Sequence, residues 1–157
     1  FEQTNLLVLP SDKYMASIVN WYDINNDGTR DALIALNENP TLHRWWELSR
    51  KDTFKWTFIT RQNMSTGNHW VQIQLLGGSG NREAIGSTVS LTTPSGQQIQ
   101  EVGDSDGAFY SQGHYRLYFG LGKHSKADMV RIHWADGTIQ ELKNLAADAL
   151  YTIKRNE

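Results

Sequence analysis

"YDINNDGTRDALIALN", residues 22–37, sets three aspartates and two asparagines inside ten positions and then turns abruptly apolar. Like charges this close repel, so either solvent or a bound cation must compensate for them. Asp23, Asn25, Asp27 and Asp31 stand at relative positions 1, 3, 5 and 9, with Gly28 at position 6 and Thr29 at position 7. That is the oxygen spacing of a calcium loop. Alternate side chains curl inward, the carbonyl at position 7 adds an oxygen, and glycine permits the sharp turn. Carboxylates and an amide are hard oxygen donors, suited to Ca²⁺ and poor for softer metals. An EF-hand would close with Glu at position 12, where this chain has Ile34, and would need flanking helices. The expectation is therefore a strand–loop–strand site for structural Ca²⁺, closed by Asp31. The competing reading is an Asp/Asn-rich hairpin turn that holds no metal.

The flanks read as strands because the chain's period is two throughout. "SIVNWYD" (17–23), "DALIALN" (31–37), "HRWWELS" (43–49) and "FKWTFIT" (54–60) are short and rich in branched and aromatic residues, with polar turns between them. After a polar linker, strands resume in "HWVQIQLLG" (69–77), "STVSLTTPSGQQIQEV" (87–102), "YRLYFGLG" (115–122), "DMVRIHWADGTIQEL" (128–142) and "ALYTIKR" (149–155). Pro-Ser-Gly and Asp-Gly lie at the centres of two alternating stretches and predict hairpins. Val130, Ile132 and Trp134 alternate toward a core, with Arg131 and His133 outward. "FGLG" suits a tight turn at a strand end, and "NLAADAL" (144–150) is the sole stretch that could form a helical turn. The fold class is all-β, in two parts: residues 1–62, then a linker at 63–67, then 68–157 as a small antiparallel β-sandwich or barrel-like domain. The chain opens on Phe1 and so reads as processed, or as a piece of something longer.

Composition narrows function by exclusion. The 157 residues are 39% hydrophobic and 20% charged, with a net charge of -2 and Lys and Arg scattered, which leaves no basic footprint for nucleic acid. No apolar run reaches the roughly 20 residues of a membrane helix, so no membrane insertion is expected, and no signal or lipidation motif is present. The absence of cysteine removes disulfides and thiolate metal sites.

Two resemblances add to this. "DINNDGTRDALIALN" resembles the FG-GAP or VCBS-type blade of integrin-like β-propellers, with its D-x-N-x-D-G-x-x-D loop between strands. By position, that makes Asp23, Asn25, Asp27 and Asp31 side-chain ligands and Thr29 the carbonyl ligand, with Asn26 and Arg30 facing outward. The resemblance implies that residues 1–62 form one propeller-type blade, with "TNLLVLP" (4–10) as an outer strand of a preceding blade or a stray edge strand. A lone blade cannot bury both faces, so it belongs to a longer propeller or packs on the second part or on partner chains. "NREAIGSTVSL" (81–91), "YSQGHYRLYFGLG" (110–122), "ADMVRIHWADGTIQEL" (127–142) and "NLAADALYTI" (144–153) resemble the ASPIC/UnbV domain found after such repeats in cartilage acidic protein-like and many bacterial secreted proteins. The resemblance implies a secreted or cell-surface, calcium-bound protein used in adhesion, matrix assembly or recognition. It carries over no catalytic residue.

Ligand contacts are less defined. Trp45 and Trp46 are adjacent on a strand, so one of them faces a neighbouring blade or a sugar ring. Asn81 and Arg82 follow "GGSG" in a mobile glycine-rich loop, as a structural turn or a contact point for a protein or carbohydrate partner. Glu101, Asp104 and Asp106 offer a second acidic cluster, but glycine falls two positions early for calcium, and a solvated turn is the simpler reading. "GGSGN" does not meet the G-x-S-x-G nucleophile pattern. Asn63-Met64-Ser65 is a glycosylation triplet in the linker. An adhesion or recognition module without catalysis ranks first. A self-assembling structural subunit with open strand edges ranks second, and a glycan hydrolase built on Glu101 and Asp106 a distant third.

Overall fold

The computed structural model describes residues 14–38, 57–61, 67–104 and 114–156, and within those residues the chain is all-β. The ten strands are β1 (Tyr14–Tyr22), β2 (Asp31–Glu38), β3 (Thr57–Arg61), β4 (His69–Leu76), β5 (Thr88–Thr93), β6 (Gly96–Glu101), β7 (Arg116–Gly122), β8 (Lys126–His133), β9 (Ile139–Ala146) and β10 (Ala149–Lys154). They form three sheets, ordered β1-β2-β3, β10-β4-β7 and β6-β5-β8-β9.

The first sheet is antiparallel, with Tyr22 opposite Asp31 at the mouth of the acidic loop and β2 paired onward to β3. Ala32, Ile34 and Ala35 are buried there. The expected strand 43–49, with Trp45 and Trp46, lies outside the described residues, as do residues 4–10, His43, Asn63 and Asp106.

The other two sheets pack face to face on one core. Val71, Ile73 and Leu75 of β4 and Leu117, Phe119 and Leu121 of β7 meet Val89 and Leu91 of β5 and Ala127, Val130 and Ile132 of β8. Strict alternation on these strands is what allows one face to be apolar. The sandwich expectation holds, and among the described residues no sheet closes into a barrel. One pairing departs from the antiparallel expectation: β10 runs parallel to β4, with Tyr151 beside Ile73. Both predicted hairpins form, β5–β6 around Pro94-Ser95 and β8–β9 around residues 134–138. "NLAADAL" is no helical turn: it ends β9, turns at Ala147-Asp148 and begins β10. Its tight reversal places Asn144 and Asp148 at positive φ.

Glutamines close one seam of the sandwich. The Tyr118 N–H donates to Gln100 Oε1, and Gln100 Nε2 donates back to the Tyr118 carbonyl. Gln98 Nε2 donates to the Gly120 carbonyl at 2.6 Å. Side chains of β6 thereby satisfy the backbone edge of β7 where a continuous ladder would otherwise run. In the Gly-Leu-Gly stretch the register against His69 and Trp70 shifts, so Leu121 sits in a β-bulge and still reaches the core.

The candidate cation loop docked on the sandwich

Residues 23–30 join β1 to β2, and the loop's own polar side chains wind it. Asp23 Oδ1 accepts the Asp27 N–H at 3.1 Å, and Asp23 Oδ2 accepts the Gly28 N–H at 2.7 Å. Asn25 Oδ1 also accepts the Asp27 N–H, while Asp27 Oδ1 accepts the Thr29 N–H at 2.8 Å. Asp31 Oδ2 reaches back to the Ile24 N–H at 3.0 Å. Short acidic side chains are suited to this, since each can bond a backbone N–H a few residues along. Asn26 and Gly28 take positive φ, the conformation asparagine and glycine tolerate best. Bonds from the Thr29 N–H, and then from the Asn25 amide, hold the Asp27 carboxyl below its usual range.

Two of the three aspartates are out of solvent: Asp23 is 4% exposed and Asp31 0%. A buried carboxylate is costly unless it is hydrogen-bonded, and Asp23 recruits a donor from the far side of the junction. Gln72 of β4, 1% exposed, donates its Nε2 to Asp23 Oδ2. Arg116 of β7 donates Nη1 to Gln72 Oε1 and to Asn26 Oδ1, both at 2.9 Å. The Arg30 guanidinium lies 5.5 Å over the Tyr118 ring. Asn26 and Arg30, expected to face away from any ion, thus join Asp23 in contacting the sandwich.

Tyr118 completes the junction. The Asp23 N–H donates to its Oη at 3.4 Å, and His114 Nε2 lies 2.6 Å from the same oxygen. His114 Nδ1 accepts the Arg116 N–H at 3.1 Å, which places the ring proton on Nε2 and makes Nε2 the donor to Tyr118. Burial pushes the Tyr118 phenol above its usual pKa, so it stays protonated through the neutral range. Gly28 rests against Trp70, and a Cβ there would come within 2.0 Å of the indole. The loop therefore seats on the outward face of β4 and β7, where Trp70, Gln72, Arg116 and Tyr118 stand opposite the core-facing residues.

As donors, Asp23, Asn25, Asp27, Asp31 and the Thr29 carbonyl fit calcium in kind, all being hard oxygens in one loop. Among the described residues, however, no three His, Asp or Glu side chains are gathered as a metal-binding group. The loop's carboxylate oxygens are engaged by its own N–H groups.

The remaining candidates separate clearly. Asn81 acts as a clamp, its Oδ1 accepting the Ile85 N–H and its Nδ2 donating to the Ile85 carbonyl. The Gly77 N–H donates to the Arg82 carbonyl, so the expected mobile loop is a braced turn with the Arg82 side chain exposed. Glu101 and Asp104 are exposed at the end of β6. Gln72 and Tyr118 escaped sequence reasoning because alternation assigns them to a solvent face. Trp70, on the same face, was the one signal that something covers it.

Fold and site together define an all-β protein in which a three-stranded sheet presents an acidic loop to the outer face of a β-sandwich. The chain belongs to the ASPIC and UnbV family, whose model matches residues 77–157, just over half of its length. No curated protein matched the chain. The family match begins immediately after β4, yet β4 is the middle strand of its sheet and carries Trp70 and Gln72.

Proposed function

We propose that this protein is a secreted or cell-surface recognition module without catalysis, stabilised by calcium in the 23–31 loop, with a protein or carbohydrate as its partner. The first sheet is read as an FG-GAP or VCBS-type blade. The observation that carries the calcium reading is the pair of buried carboxylates, Asp23 and Asp31, at the two ends of an all-oxygen loop. Calcium would be held by Asp23, Asn25, Asp27, Asp31 and the Thr29 carbonyl, and its charge would offset the repulsion among the three aspartates. Asp23 also bonds Gln72, so fixing this side chain fixes the seat of the blade on the sandwich. Membership of the ASPIC and UnbV family supports the extracellular setting through the resemblance described above. No helix among the described residues is long and apolar enough to cross a membrane.

Calorimetric titration of the protein with calcium tests the metal directly. The expected result is one saturable event with a Kd of about 10⁻⁴–10⁻³ M, the range of extracellular modules. Asp27→Ala, confirmed folded by circular dichroism, is expected to abolish it. Equal binding by Asp27→Ala, or no binding by the wild-type chain, would overturn the assignment.

A further inference from the structure

Beside the seated loop runs a trough that neither the loop nor the sandwich core fills. Gly28, Arg30, Trp70, Tyr118 and Gly120 border this cleft of about 270 Å³. Its floor is the backbone of β4 and β7, since the side chains of Val71 and Phe119 turn to the core. Trp70 lies directly across the ladder from Gly120, and Tyr118 stands two residues along on the same face. An indole and a phenol thus flank a position that carries no side chain.

Glycine inside a strand weakens it, and its usual justifications are a left-handed backbone or a close approach by another part of the chain. Neither holds at Gly120. Its φ lies outside the left-handed region, and a Cβ added there would meet nothing within 4 Å. Gly28 is the opposite case, because its Cβ would strike Trp70. The space over Gly120 is therefore open, and no residue of the fold requires it to be so. Trp70 offers a donor at its side. The Trp70 backbone N–H bonds Asp148 Oδ1 at 3.3 Å, whereas its indole Nε1–H has no hydrogen-bond partner among the described residues. The residue is half-buried, and its indole nitrogen, unlike that of Trp134, is not sealed from solvent. The Arg30 guanidinium, seated over the Tyr118 ring, adds a charged group at the rim.

We propose that this trough binds one pyranose ring of a carbohydrate partner, with the ring over Gly120 between Trp70 and Tyr118. Its hydroxyls accept from the Trp70 indole N–H and from Arg30. The proposal rests on the recognition reading above and names its partner. The chemistry selects the class. Backbone already paired in a ladder makes a flat floor with little polar demand, and aromatic walls favour an apolar ring. Donors at the rim favour hydroxyl oxygens. A pyranose combines the two, with C–H groups on its faces and hydroxyls around its edge. An aliphatic side chain would leave the donors unpaired, and a phosphate would meet one guanidinium and no second cation. The volume falls below the roughly 300–1,000 Å³ of pockets that enclose whole small molecules, which suits one unit of a longer chain.

The test titrates the whole chain, at fixed calcium, with the methyl glycosides of glucose, galactose and mannose and with methyl glucuronide. Proton–nitrogen NMR follows the Trp70 indole resonance, and N-acetylprolinamide serves as the parallel probe for a peptide partner. The expected result is a saturable Trp70 shift with at least one glycoside. Tighter binding of the glucuronide than of the glucoside identifies an acidic sugar held through Arg30, and equal binding a neutral one. Gly120→Ala and Gly120→Val fill the trough stepwise, and valine is expected to weaken binding about tenfold or more. Their thermal midpoints should stay at or above wild type, because a strand position gains a side chain that has room. Trp70→Phe, which keeps a ring and removes the N–H, should weaken binding by a smaller factor. A shift with N-acetylprolinamide alone overturns the sugar assignment and leaves the recognition reading standing. Sugar binding that persists undiminished in Gly120→Val does the same. No saturable shift anywhere in the spectrum, with any probe at tens of millimolar, overturns the trough and counts against the recognition reading as well.

Discussion

A methyl group at Gly28 would sit 2.0 Å from the Trp70 indole, on a backbone held at φ 85°. Steric overlap and left-handed backbone therefore act on one residue. Gly28→Ala is expected to destabilise the protein by about 2–4 kcal/mol, combining overpacking with strain. Trp70→Ala should recover the steric part and leave the conformational part, so the two substitutions will be less than additive. Thermal melts of the single and double variants check this. A Gly28→Ala protein that melts within about a degree of wild type would show that the loop does not seat on Trp70. The glycine itself was legible as the position-6 turn residue of an acidic loop. Its second role was hidden, because Trp70 is more than forty positions away and nothing local announces the contact.

At the scale of elements, the glutamine seam makes a distinct prediction. Gln100 meets both the N–H and the carbonyl of Tyr118, whereas Gln98 meets one carbonyl. Gln100→Ala would strip both groups of their partners and is expected to cost about 1–3 kcal/mol, more than Gln98→Ala. Urea unfolding of the two variants ranks them, and equal midpoints would contradict the seam. The hairpins were readable from Pro-Ser-Gly and Asp-Gly between alternating runs, as was the inward set Val130, Ile132 and Trp134. The parallel pairing of β10 with β4 was not, since it joins distant strands with no turn between them to mark the register. The polar face of β4 misled for a related reason. Gln72 and Gln74 look solvated in isolation, and only the docked loop explains why Gln72 is buried.

At the scale of the whole molecule, and among the described residues, the loop that separates β1 from β2 touches the sandwich, as does Tyr22 at its mouth, which lies edge-on to His114. Asp23 winds the loop through the Asp27 and Gly28 N–H groups and engages Gln72 with the same carboxylate. Arg116 ties Gln72 to Asn26, and Arg30 covers Tyr118. A cation bound by the aspartates would stabilise the loop and its seat together. The acidic loop was legible in the 1-3-5-9 spacing, and packing on the second part was one of the readings left open, but the residues that make the contact were not legible, because the partners come from strands far along the chain.

Thermal denaturation in excess calcium and in excess chelator, for wild type and Asp27→Ala, tests the central claim most directly. With free calcium several-fold above its Kd, binding to the folded form adds about 1 kcal/mol and raises the wild-type Tm by about 2–4 °C. Asp27→Ala should melt at one temperature in both conditions. Superimposable wild-type curves with and without calcium would contradict the claim that this loop holds a structural cation.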